Sequence, residues 1–177
     1  MFDIQTTDDS FAGQVPIGAT NDVIGDSISG QYNANLAVTE DVYVTFEYLG
    51  KEAAWVDNFT VMGNEVFWND DYNSASGAEA GDKGTFDVDS GLVNFAFTVF
   101  TGPNAGLGVE NGNNGGAFDG TPSQPGLAGE PNFFLGYGDS EDVVYIGLDD
   151  GGGEIQPGTD FDDADYDDLI VKATARV

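Results

Sequence analysis

The chain has no cysteine and no histidine, and only four of its 177 residues are lysine or arginine. Each shortage removes a class of function. Without cysteine there is neither a disulfide framework nor thiol catalysis. Without histidine the usual general base and the commonest zinc ligand are missing, so a Ser/His/Asp triad cannot be built. Four cations against 32 carboxylates, a formal net charge of −28, leave no cationic face for nucleic acid or for an anionic membrane surface. No segment approaches the roughly 18 consecutive apolar residues of a transmembrane span, so membrane insertion is not expected.

What is present is aromatic, turn-rich and acidic. The 13 Phe, 7 Tyr and 2 Trp supply a core, and 26 Gly with 6 Pro imply many turns. Together with frequent Val and Thr they predict an all-β protein. Residues 1–177 read as a single domain. The expected architecture is an antiparallel, jelly-roll-like β-sandwich of about nine to ten strands with little or no helix.

Residues 1–35 are polar and predict a loose N-terminal strand or two. From Val42 to Leu49 the apolar Val42, Val44, Phe46 and Tyr48 alternate with Tyr43, Thr45 and Glu47, the period of a strand with one buried face. Gly63-Asn64 between two apolar runs predicts a hairpin over residues 59–68. Further strands are expected at 84–88, 92–100, 132–137, 143–148 and 169–177. The Gly/Asn/Pro-rich stretch 101–131 has no periodicity and reads as a long loop, a class that tends to be functional.

The most informative stretch runs from Val143 to Val171. It reads as a strand ending in Asp149-Asp150, a loop opening with Gly151-Gly152-Gly153, the run Asp160 to Asp168, and a closing strand. Eight aspartates are thereby held at one end of a strand pair. Two carboxylates about 6 Å apart repel by roughly 0.7 kcal/mol in water, and by several times that where the dielectric falls. A cation relieves this, and hard oxygens on a flexible loop suit Ca²⁺ better than the octahedral, water-retaining Mg²⁺. Asp163, Asp165 and Asp167 resemble the first half of an EF-hand loop. Position six is Asp168 in place of Gly and position twelve is Thr174 in place of Glu, so an EF-hand is rejected. Paired carboxylates could in principle perform glycosidase chemistry. Bound calcium would keep both ionised and remove the general acid, so no enzymatic activity is expected.

Several segments together resemble exported bacterial β-sandwich proteins of the PEP-CTERM sorting type. They are Phe46 to Ala53, Asn58-Phe59, Asn132-Phe133-Phe134, Leu148-Asp149-Asp150-Gly151 and Asp163-Ala164-Asp165-Tyr166-Asp167-Asp168-Leu169. The last of these is similar to an Asp-x-Asp-aromatic-Asp-Asp-Leu motif of calcium-associated domains. The resemblance implies secretion and Ca²⁺, with ligands among Asp149, Asp150, Asp163, Asp165, Asp167 and Asp168, and with Glu52 and Asn58 as further candidates. It implies no reaction. Met1-Phe2-Asp3 is not the start of a secretory signal, so the expectation is an extracellular or cell-surface protein whose signal and anchor segments have been removed.

The leading expectation is therefore a non-enzymatic, Ca²⁺-binding structural module of a surface, matrix or filament, with self-association as one form of partnership. A Ca²⁺-dependent glycan-binding module is the alternative, with Trp55, Trp68, Tyr72 and Tyr137 as the rings that would dock surface glycans. An acidic virion or coat protein is a second alternative, sharing the fold and the structural role.

Overall fold

A computed structural model describes residues 1–6, 15–16, 29–30, 34–51, 55–70, 77–102, 104–113, 131–150 and 168–177. Among these every regular element is a strand. In chain order they are β1 (Phe2–Thr6), β2 (Val15–Pro16), β3 (Ser29–Gly30), β4 (Ala34–Val38), β5 (Val42–Gly50), β6 (Asp57–Val61) and β7 (Asn64–Trp68). There follow β8 (Lys83–Val88), β9 (Gly91–Leu92), β10 (Phe95–Val99), β11 (Gly108–Glu110), β12 (Asn132–Tyr137), β13 (Val143–Asp149) and β14 (Leu169–Arg176).

Twelve of these strands form three antiparallel sheets, ordered β12-β13-β14-β5-β8, β11-β10-β6-β7 and β1-β4-β9; β2 and β3 pair separately. The alternation seen in Val42 to Tyr48 is realised, with Val42, Val44, Phe46 and Tyr48 buried and Tyr43 exposed. The inner faces meet in an aromatic core. Phe59 of β6 lies 5.3 Å from Phe46 of β5, 5.6 Å from Phe95 and 5.0 Å from Phe97 of β10, centroid to centroid. Phe95 in turn is 5.1 Å from Phe133 of β12. These spacings suit edge-on and tilted ring pairs, which add about 0.5–1.5 kcal/mol each beyond their buried area. The core thus clamps the five-stranded sheet against the four-stranded one.

Three sequence expectations are corrected. The hairpin turn is Met62-Gly63, not Gly63-Asn64: both residues have positive φ, 52° and 75°, as a two-residue type I′ turn requires, and Asn64 already pairs with Val61. The apolar run 92–100 is not one strand. Leu92 pairs with Ala37 in the three-stranded sheet, and from Phe95 the chain pairs with β6 in another sheet. Periodicity cannot register this transfer, because Val93, Phe95, Phe97 and Val99 stay buried through it. Asn111 secures the junction. It accepts from Leu36 N at 2.7 Å and donates to Leu36 O at 2.7 Å and Val93 O at 2.6 Å. The stretch 101–131 also contains β11, paired with β10.

Candidate metal centre

All three ends of the long strands that carry Asp57, Asp149 and Asp168 lie at the same end of the sandwich. β6 begins with Asp57, β13 ends with Asp149, and β14 begins one residue after Asp168, with Leu148 paired to Leu169. Asp57 shares a strand face with Phe59 and Val61 and is fully buried; Asp149 and Asp150 are only 2% and 3% exposed. Carboxylates in such places require partners, since burying an isolated charge costs far more than a hydrogen bond returns.

Part of that requirement is met by amides. Asn69, the residue after β7, accepts from Asp57 N at 2.6 Å through its Oδ1. Its Nδ2 donates to Asp57 Oδ2 at 3.0 Å and to Asp168 O at 3.2 Å. Asn104 donates to Asp150 O at 2.7 Å. Asp150 N donates to Asp168 Oδ2 at 2.8 Å, and Asp168 N to Leu148 O at 3.1 Å. One amide thus bridges β6 to β14, and a second holds the backbone where β13 ends.

The requirement is not met at two atoms. Asp57 Oδ1 and Asp150 Oδ2 are buried and have no hydrogen-bond donor. The carboxyl of Asp150 is close enough to those of Asp57 and Asp168 for their charges to act on one another. Two ionised carboxylates offer acceptors only, so neither can satisfy the other. Burial accordingly pushes Asp57 up to about 6, against the hydrogen bond from Asn69, the neighbouring Asp150 and the field of Lys51. Burial pushes Asp150 up to about 10, assisted by the charges of Asp168, Asp57 and Asp149. Either a proton or a cation must sit among these oxygens at neutral pH.

In donor chemistry the cluster fits a hard cation: anionic oxygens and carbonyls, with no nitrogen or sulfur ligand. Among the described residues no group of three or more Asp or Glu side chains is arranged to hold a metal ion by itself. Asp57, Asp150 and Asp168 do not by themselves make such a group. Asp150 and Asp168 are also the two ends of the acidic segment 151–167.

Of the candidates read from the sequence, the structure brings Asp149, Asp150 and Asp168 together. Glu52, Asp163, Asp165, Asp167 and Tyr72 lie outside the described residues. Asn58 follows Asp57 on β6 and is also buried; its Nδ2 donates to Glu65 Oε2 at 2.8 Å, and its Oδ1 has no hydrogen-bond partner. Trp68 is half-buried, 4.4 Å from Phe100 and inclined to it by 50°. Trp55 lies against Gly102, where a Cβ would come within 2.3 Å of the indole. Tyr137 is exposed at the other end of the sandwich, its hydroxyl accepting from Ile4 N at 3.1 Å. Trp55 and Trp68 thus border the carboxylate end, and Tyr137 does not.

Sequence reading missed Asp57, Asn69 and Asn104. Asp57 had a legible signal: it occupies a core-facing position in the alternation Asp57, Phe59, Val61. The two asparagines are loop residues without one. Comparison with family models, with curated proteins and with solved structures gives no match for this chain.

Proposed function

We propose that this protein is a non-enzymatic, Ca²⁺-stabilised β-sandwich that acts outside the cell as a structural module of a surface, matrix or filament. The observation that carries this reading is the pair of donorless oxygens, Asp57 Oδ1 and Asp150 Oδ2, buried at the end of the sandwich where β6, β13 and β14 meet. A divalent cation shared by Asp57, Asp150 and Asp168 would neutralise them, and Asp163, Asp165 and Asp167 are the proposed carboxylates that complete the six to eight oxygens Ca²⁺ takes. Near-complete burial of Asp57, Asp149 and Asp150 suits a structural ion better than a catalytic one, since no substrate reaches a carboxyl so enclosed.

Ca²⁺ would join the starts of β6 and β14 to the end of β13, and thereby join the two large sheets. At a free concentration a hundred times Kd, one such site stabilises the fold by about 2.7 kcal/mol. For a domain of this size that is a rise in melting temperature of roughly 5–10 °C. The test is thermal unfolding in EDTA against CaCl₂ and MgCl₂ at fixed ionic strength. A rise specific to Ca²⁺ supports the reading; no rise, or the same rise with Mg²⁺ or NaCl, removes it.

A further inference from the structure

β8 is an edge of the five-stranded sheet, paired with β5 on one side only. Tyr48 N donates to Asp82 O at 2.9 Å and Gly81 N to Tyr48 O at 2.8 Å, a bulge with Gly81 at a φ of 98° that fixes which groups face β5. Counting on from it in steps of two, Gly84, Phe86 and Val88 exchange their N–H and C=O groups with β5, while Lys83, Thr85 and Asp87 turn theirs away. The 2.9 Å approach of Thr45 Oγ1 to Thr85 Oγ1 suits a non-hydrogen-bonded pair and agrees with this phase. Among the described residues nothing bonds the outward N–H and C=O groups of Lys83, Thr85 and Asp87. At β7, an edge of the facing sheet, Ala78 N occupies Trp68 O at 2.7 Å and a bulge interrupts the ladder, two devices that close an edge. From Lys83 to Val88 β8 has neither, and so it is open to another strand.

The same strand is complementary to itself. Set β8 antiparallel to β8 of a second copy, centred on Thr85, and Lys83 of each copy stands opposite Asp87 of the other, with Thr85 opposite Thr85. The outward-facing residues then meet only one another, as mutual N–H to C=O bonding requires. Displacing the register by two residues in either sense sets Thr85 against Lys83 or Asp87 and leaves no charge pair within β8. Across the joined sheets one row reads Lys172, Glu47 and Lys83, then Asp87, Tyr43 and Arg176 of the second copy. Lys83, already 3.3 Å from Glu47, thus lies between two carboxylates. Opposite charges alternate through the seam, the arrangement that favours cross-strand neighbours.

We infer that the free edge of β8 is a self-association site whose occupant is β8 of a second copy of this chain, antiparallel about Thr85, so that the two five-stranded sheets become one. Both copies offer the same strand, so the contact is isologous and closes as a dimer. Two chains of net charge −28 repel over most of their surface. The contact therefore depends on the backbone bonds and on the alternation of charge at the seam. This inference deepens the structural-module reading and rests on its assembly half alone. No residue of β8 belongs to the carboxylate cluster, so the metal reading and the dimer can fail separately.

The experiment is sedimentation velocity of the full chain over a concentration series up to about 1 mM, the scale of weak contacts, in EDTA, where a metal plays no part. Wild type is expected to pass from monomer to dimer. Thr85→Pro deletes an outward N–H and no bond to β5, so it should fold and stay monomeric. Asp87→Lys and Lys83→Asp each set like charges opposite one another across the seam, and each should weaken association by roughly tenfold. Asp87→Lys also lowers the net charge, which by general repulsion alone would strengthen association. An equimolar mixture of these two variants restores both Lys–Asp pairs and should dimerise like wild type. Melting curves verify that each variant is folded. A wild type that stays monomeric throughout overturns the inference. So does a folded Thr85→Pro protein that dimerises like wild type, or a mixture that associates no better than its components.

Discussion

The backbone N–H of Asp150 donates to the carboxylate of Asp168 at 2.8 Å, closing the two ends of an acidic segment onto each other. That bond brings Asp168 to a carboxyl pair, Asp57 and Asp150, which already has two oxygens without donors. Three acids therefore converge where, among the described residues, amides and the field of Lys51 offset them in part. The consequences are measurable.

Asp150→Asn replaces a donorless carboxylate by an amide whose Nδ2 can donate to Asp57 or Asp168. In EDTA at neutral pH it should stabilise the protein by about 1–3 kcal/mol, because the amide folds without the proton that burial forces Asp150 to take up. In Ca²⁺ it should lose most of the metal-dependent rise. Melting temperatures of wild type and variant under both conditions check this, and a variant destabilised in EDTA contradicts it.

The metal-free protein should be more stable in mild acid than at neutral pH. Asp57 rises from 3.8 to about 6 on folding and Asp150 from 3.8 to about 10. Between those limits the folded chain binds more protons than the unfolded one, so stability falls as pH rises. The contribution is fully present only below 3.8; Asp57 gives its share up by about 6, and Asp150 continues to lose through about 10. In EDTA the melting temperature should therefore drop from pH 5 to pH 8, and Asp150→Asn should flatten the slope. With saturating Ca²⁺ the metal-induced rise should grow with pH, because the cation displaces a proton.

Asn111→Leu removes three hydrogen bonds from Leu36 N, Leu36 O and Val93 O at the seam between the β1-β4-β9 sheet and β10. Unsatisfied backbone groups cost about 1–3 kcal/mol each, so a loss of about 3 kcal/mol or more is expected in chemical denaturation. The metal-induced stabilisation should persist, since Asn111 lies outside the carboxylate end.

Phe59→Ala opens a cavity where Phe46, Phe95 and Phe97 converge. A loss of about 3–5 kcal/mol follows from the buried ring and the void it leaves. Phe100→Ala, at an exposed ring, should cost far less in the same denaturation series.

The sequence by itself determined the class of structure and the chemistry open to it. Alternation in Val42 to Tyr48 and the absence of any helical spacing sufficed for an all-β fold, because a strand's period of two is a local property of the chain. The missing His and Cys removed imidazole and thiol chemistry, and the excess of carboxylates over cations made the acidic groups the leading candidates. Asp149, Asp150 and Asp168 were legible for the same reason: they sit at strand ends within one short stretch. Only the tertiary structure decided which residues join them. Asp57 and Asn69 are brought in from β6 and β7 by pairing and sheet packing across about a hundred residues of chain, and Asn104 by a loop. The passage of residues 92–100 between two sheets was likewise invisible, since both sheets bury the same side chains. The alternation of Lys172, Glu47 and Lys83 across three strands was hidden too, because it depends on the register of β14 with β5 and of β5 with β8. Composition and period are written along the chain, while register and burial arise from contacts between its distant parts.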